Sequence, residues 1–314
     1  MTTVLSNPLR PALLAAARSP RLQATVTRLR ATRSLVDRFV AGDSEPAAVM
    51  AVDALLASGR FVSVDYLGED TTDRAQARAT VQSYLSLIQR FSTRHTAGTA
   101  LEVSLKLSAL GQGIDRTLAL DNAREICAAA AAAGVWVTVD AEDHTTTDST
   151  LSIVRELRKD FPDLGTVLQA YLRRTEVDCV ELSGPRSRIR LCKGAYNEPS
   201  SVAFQSTREV SDSYLRCLQV LMNGSGYPMV ASHDPEMIEA AETFAAAAGR
   251  SSDEFEFQML YGIRDQEQRR LVDADRHVRV YVPYGEQWYG YFMRRLAERP
   301  ANLAFFARAL VSRT

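Results

Sequence analysis

Lysine is scarce in this 314-residue chain. Only Lys106, Lys159 and Lys193 occur, and arginine supplies the rest of the 37 basic residues. Genomic base composition accounts for the bias as a whole, yet Lys106 and Lys193 both close short apolar runs. An ammonium at such a place admits two chemistries: contact with an anion, or, once deprotonated, attack on a carbonyl to form a Schiff base. A second cationic feature is the pair Arg294-Arg295. A planar guanidinium fork matches a planar carboxylate through two parallel hydrogen bonds, although on a helix such a pair also reads as a solvated charged face. Other chemistries find little support. The four histidines (His95, His144, His233, His277) form no HxH or HExxH, so no metal site is expected. No GxSxG elbow is present, and Gly111-Gln112-Gly113 lacks the third glycine of a dinucleotide loop. Cys127, Cys179, Cys192 and Cys217 form no CxxC and read as isolated thiols of a reducing compartment. A net charge of −1 argues against nucleic acid as a partner.

For the cations to meet, distant segments must converge, and the rhythm of the chain shows how. From residue 61 short β-branched or apolar runs alternate with longer stretches of helical periodicity. Strands are predicted at 61–66, 101–107, 135–140, 166–170, 188–193, 229–232, 256–260 and 278–282. Helices are predicted between them, among others at 115–133, 148–161, 200–222 and 235–248. Gly134, Gly165 and Gly249 stand where helix C-termini should end. Apolar strands separated by helices indicate a parallel sheet covered by helices, and eight units favour a closed (βα)8 barrel over an open sheet. Residues 1–60 read as a preceding helical segment. Its stretch 9–40 mixes apolar residues at helical spacing with many arginines, and Ala41-Gly42-Asp43-Ser44 breaks the pattern.

In such a barrel the active site lies at the C-terminal ends of the strands. Those ends carry Asp65 and Glu69, Lys106 and Ser108, Asp140 and Glu142, Gln169, Arg190 and Lys193, Ser232-His233-Asp234, Gln258 and Tyr261, and Tyr281. Charges in apolar strands are costly unless paired or used, so the set reads as functional. Single members keep simpler readings: Asp140 as a salt bridge, His233 and Gln169 as internal hydrogen-bonders, Tyr281 as packing.

The segment Val103-Ser104-Leu105-Lys106-Leu107-Ser108-Ala109-Leu110 resembles part of the proline dehydrogenase family. Six more segments agree in order: Asp140-Ala141-Glu142, Gln169-Ala170-Tyr171-Leu172, Arg190-Leu191-Cys192-Lys193-Gly194-Ala195-Tyr196, Phe257-Gln258-Met259-Leu260-Tyr261-Gly262, Tyr281-Val282-Pro283-Tyr284-Gly285 and Arg294-Arg295-Leu296-Ala297-Glu298. The resemblance spans roughly residues 60 to 310. It implies a distorted barrel over residues 61–314 that holds FAD without covalent linkage. It also implies oxidation of L-proline to Δ1-pyrroline-5-carboxylate, with electrons passed to a quinone and the product taken up by a pyrroline-5-carboxylate dehydrogenase. By motif match Lys106, Arg294 and Arg295 would hold the proline carboxylate. Leu260, Tyr261 and Tyr281 would shape the ring pocket, and Asp140 would pair with one of the two arginines. Glu69 would close over substrate by pairing with Arg294. Gln169, Arg190, Lys193, Gly194, Ala195, Tyr196, Ser232, His233, Gln258 and Glu298 would contact the flavin. One departure is Ser232-His233-Asp234, where the family often shows Thr-His-Asn. An acid beside FAD phosphates is unfavourable, so Asp234 is expected to point away. Asn197-Glu198-Pro199 resembles the short single-function enzymes, and the chain lacks room for the second enzyme of the bifunctional ones.

No residue in this reading is an evident base for the amine proton. No secretory signal follows Met1, and the longest apolar stretch, 126–137, falls short of the roughly 20 residues that span a bilayer. A cytoplasmic protein is expected, at most peripheral to the membrane through its arginine-rich N-terminal segment.

Overall fold

The computed structural model describes residues 36–69, 71–94 and 100–298, with side chains through Leu296. Eight parallel strands close into a barrel in strict sequence order, the last pairing with the first. They are β1 Phe61–Tyr66, β2 Leu101–Leu105, β3 Trp136–Val139, β4 Gly165–Gln169, β5 Arg188–Cys192, β6 Tyr227–Ala231, β7 Glu256–Leu260 and β8 Val278–Tyr284. The described residues form nine α-helices: α1 Glu45–Leu56, α2 Arg74–Phe91, α3 Arg116–Ala132, α4 Thr147–Leu157, α5 Thr175–Leu182, α6 Thr207–Asn223, α7 Pro235–Ala247, α8 Asp265–Asp273 and α9 Tyr289–Glu298. The barrel expected from the eight-unit rhythm is therefore the observed fold. Within the first 60 residues, α1 buries Ala48, Val52 and Leu55 in the same core as Val62 of β1 and Val280 of β8. Most of the 9–40 stretch lies outside the described residues. Among the described residues no helix is long and apolar enough to cross a membrane.

Two expectations need correction. Gly134 and Gly249 do take the left-handed conformation after α3 and α7, with φ of 67° and 69°. Gly165 does not end a helix; α4 stops at Leu157, and Gly165 opens β4. A Cβ there would lie 2.3 Å from Thr138 Oγ1, so the position is kept bare for strand packing. The helix expected from residue 200 begins only at Thr207. Ala203 is held by a bridge to Leu172, and the capping box of Ser206 and Glu209 then sets the start. All four cysteines are free thiols, with Cys127, Cys179 and Cys217 buried.

Strand side chains alternate in direction, and the alternation sorts them sharply. Val62, Val64, Val103, Leu105, Ile189, Leu191, Phe257, Met259, Val280 and Val282 join the core packed with the helices. The alternate positions face inward and are largely polar or charged, where barrels of this kind are usually filled by aliphatic layers. Arg279 forks onto Glu256 at 2.7 and 3.0 Å, with both side chains fully buried. Glu102 accepts from Arg188, from Arg190 at 2.8 Å, from Ser63 at 2.7 Å and from Thr138 at 2.9 Å. Burial alone would raise the Glu102 carboxyl. Arg188, Arg279 and Arg190 outweigh it and hold the group well below the usual range. Gln258 bridges the two clusters, donating to Glu256 and accepting from Arg190, each at 2.5 Å.

Candidate active site

The inward ladder continues to the C-terminal ends of the strands. Arg190 reaches Asp140 at 2.5 Å, and Asp140 also accepts from the Tyr281 hydroxyl at 2.7 Å. Lys106, one residue beyond β2, donates to Asp65 at 2.5 Å and to Tyr281 at 3.1 Å, and lies 3.7 Å from Asp140. Burial opposes the charge on Lys106. Asp65, Asp140 and Glu69 outweigh it and hold the ammonium above its ordinary value. An amine held as a cation is a poor nucleophile, which counts against the Schiff-base chemistry that Lys106 admits. Burial, reinforced by Asp140, keeps the Tyr281 phenol protonated far above the usual range.

Beyond the strand ends, α9 lays its arginines over this floor. Arg294 binds Glu69 through both guanidinium nitrogens, one bond measuring 2.9 Å, and its guanidinium stands 5.5 Å from the Tyr196 ring. Burial would raise the Glu69 carboxyl, but Arg294, Lys106 and Arg295 together lower it. Arg295 lies 5.2 Å from the Tyr291 ring. Tyr291, Phe292, Met293 and Leu296 of α9 pack with Trp288 and Leu67, and Leu260 and Tyr281 pack against them. Leu260 donates its backbone N–H to His233 Nε2 at 2.9 Å, and Tyr261 donates to the Tyr281 carbonyl at 2.9 Å.

The far side of the mouth is formed by β4 to β6. The Gln169 side-chain amide donates to the Glu142 backbone carbonyl at 3.1 Å, while its side-chain oxygen is buried without a hydrogen bond. Lys193 donates to Ser211 at 3.0 Å and Asp234 at 2.7 Å. Asp234 also accepts from the Glu236 N–H to cap α7, and its own N–H donates to Ser232. Gly194 takes a φ of 108°, and a Cβ there would collide with the Tyr171 ring at 2.3 Å. Ala195 and Tyr196 follow this turn half-buried, and the Tyr171 hydroxyl reaches Glu198 at 3.2 Å. Glu298 ends α9, but its side chain lies outside the described residues.

Some pairings differ from those the resemblance implies. Asp140 is held by Arg190, Tyr281 and Lys106 rather than by an arginine of α9. Arg190 lies inside the barrel, bound to Asp140, Glu102, Gln258 and Ser104. Glu102, Arg188, Glu256 and Arg279 are absent from the expected site, although with Arg190 they build the ladder below the mouth; Asp65 is expected there, but not as the partner of Lys106. A signal was present: Glu102, Arg188, Arg190, Glu256 and Arg279 are charges inside β runs, each two residues from another inward polar group.

Similarity to known proteins fits this geometry. The family model described as proline dehydrogenase matches residues 48–308. The proline dehydrogenase of Deinococcus radiodurans is 41% identical over 283 residues, covering 88% of this chain and 90% of that protein. Proline dehydrogenase 1 of Bacillus subtilis is 38% identical over 282 residues, covering 90% and 92%. Among solved structures, proline utilization A from Bdellovibrio bacteriovorus superposes with a TM-score of 0.78 at 23% identity over 92% of this chain. The Bradyrhizobium japonicum protein of that name gives 0.67 at 24% identity over 79%. This chain spans only 36% and 29% of those two proteins, so they speak for the fold alone. The chain belongs to the proline dehydrogenase family of oxidoreductases.

Proposed function

We propose that the chain binds FAD at the barrel mouth and oxidises L-proline to Δ1-pyrroline-5-carboxylate, with the electrons going on to a quinone. The observation that carries this reading is the placement of cations at one mouth: Arg294 of α9 forks onto Glu69, Lys106 stands at the end of β2 beside Tyr281, and Lys106 and Arg295 lie within electrostatic reach of the same carboxylate. Cations that act together on Glu69 can act together on the carboxylate of a small amino acid entering beside it. Charge-assisted hydrogen bonds contribute roughly 1.5–3 kcal/mol each, enough to orient a molecule with one anionic end. Tyr281 and Leu260, backed by the aromatic cluster of α9, confine the apolar ring. Glu69, paired with Arg294, closes the mouth over the bound molecule and excludes water.

The residues present suit a flavin. The buried, unbonded side-chain oxygen of Gln169 is an acceptor for a ring N–H, and Lys193 and Ser232 offer polar groups at neighbouring strand ends. A bound flavin supplies the hydride acceptor for the ring carbon beside nitrogen. Arg190, fixed by Asp140 and Gln258, supplies positive charge beneath the mouth.

The test is optical. Purified protein loaded with FAD should be yellow, bleach anaerobically with L-proline, and recover its colour with a soluble quinone. Protein that retains FAD but is not bleached by L-proline refutes the reading.

A further inference from the structure

We propose that Glu142, held by Ser108, accepts the proton that the ring ammonium of the substrate must lose before oxidation; this rests on the reading above. Asp65 pairs with Lys106, Asp140 with Arg190, Glu69 with Arg294 and Asp234 with Lys193. Glu142 differs. Its carboxylate accepts from the Ser108 N–H at 3.0 Å and from the Ser108 hydroxyl, both neutral donors, and among the described residues it makes no ion pair.

The position suits the role. Glu142 stands two residues beyond Asp140 and Ser108 two beyond Lys106, so the hydrogen-bonded pair joins the segments that follow the adjacent strands β2 and β3, beside Lys106 and Asp140. Glu142 is 8% exposed, and its backbone carbonyl is tied down by Gln169. Glu69 from the loop after β1, Lys106 at the end of β2 and Tyr196 from the loop after β5 all lie within electrostatic reach. Burial lifts the carboxyl and Glu69 adds to it, while Ser108 and Lys106 pull the other way, leaving it at about 7. A group poised near neutrality can take a proton and later return it to solvent. Its neighbours are less suited: Lys106 is locked as a cation, Tyr281 stays protonated, and Asp65 and Asp140 are committed to cations.

In the proposed step one N–H bond of the ring ammonium breaks and its electron pair stays on nitrogen. The proton forms an O–H bond on Glu142. The freed pair can then form the C=N bond as the neighbouring C–H is lost as hydride, for which a bound flavin would be the acceptor.

The experiment is stopped-flow anaerobic reduction of the FAD-loaded enzyme by L-proline from pH 5.5 to 9. In the parent protein the limiting rate should fall about tenfold per unit below an apparent pKa near 7. Glu142→Gln should abolish that limb and slow reduction at pH 7.5 by about 10²–10⁴-fold, the range for lost general-base catalysis. Binding of a five-membered ring carboxylate with oxygen in place of nitrogen, followed by the flavin spectrum, should change less than about threefold, because it has no proton to lose. Ser108→Ala removes a donor that favours the charged form, so it should move the acid limb upward; this second variant decides the matter if Glu142→Gln does not fold. An unchanged limb in either variant, or equal loss of the amine-free ligand in Glu142→Gln, overturns the proposal. Absence of bleaching in the parent protein would instead refute the assigned substrate.

Discussion

Two ion networks occupy this barrel, and they use the same residue types differently. In the lower one, Glu102 and Glu256 meet Arg188, Arg190 and Arg279 across the interior, every group projecting from a strand. The Glu256–Arg279 pair has no exposed side-chain surface at all. In the upper one, Glu69 lies on the loop after β1 and Arg294 on α9, with side chains 21% and 12% exposed. A pair fixed at both ends by a closed sheet has nowhere else to go. A pair with one end on a loop and the other on a helix can open and exchange partners. Attachment, more than residue type, separates an ion pair that holds the fold from one that can serve a substrate.

The largest effect should come from breaking the lower network. Arg279→Met would strand the Glu256 carboxylate in the interior, and removing one partner of a buried pair costs about 3–5 kcal/mol. Urea unfolding should show a loss of that size, and a loss below about 1 kcal/mol would mean the network is relaxed or hydrated. Next comes the upper network. Arg294→Met should lower kcat/KM for L-proline about 10–150-fold, the equivalent of one lost charge-assisted contact, with FAD still bound. Arg295→Met should act likewise. Unchanged proline kinetics in both would remove the arginines from the site.

The same contrast explains what was legible in the sequence. Strand rhythm depends on local periodicity, so β1 and β7 were bounded correctly and the barrel followed from counting units. Residues at strand ends, such as Lys106 and Tyr281, were legible because the fold fixes where strand ends meet. Pairings were not. Asp140 and Arg190 lie 50 residues apart and meet only through barrel closure, while Asp65, the partner of Lys106, looked like one strand-end acid among several. Gly165 is ambiguous in sequence, because a bare position for Thr138 and a helix stop both call for glycine.

A smaller effect tests whether the upper pair opens and closes. Glu69→Ala leaves the substrate cations in place and removes only the carboxylate that closes over them. KM for L-proline should rise about 2–5-fold, in line with a partly exposed ion pair worth at most about 1 kcal/mol. Protein stability should change little. An unaltered KM would make the Glu69–Arg294 contact static.

The smallest effect concerns Asp234, where the resemblance leads one to expect asparagine. The carboxylate caps α7 and pairs with Lys193, and both side chains are about a third exposed, at 35% and 27%. Asparagine caps a helix about as well as aspartate, and an exposed ion pair contributes about 0–1 kcal/mol. Asp234→Asn should therefore change stability by less than about 1 kcal/mol. It would, however, release Lys193 and remove an acid from the side of the mouth assigned to FAD. Two unit charges at about 4 Å in water interact by about 1 kcal/mol, so FAD should bind up to about fivefold tighter at low salt. Raising the ionic strength should erase the gain, because a Debye length of about 3 Å at 1 M screens exposed charges. FAD titration by fluorescence quenching at two salt concentrations reads both quantities. A gain that persists in high salt would trace to packing, and no gain at either concentration would place Lys193 and Asp234 away from the phosphates.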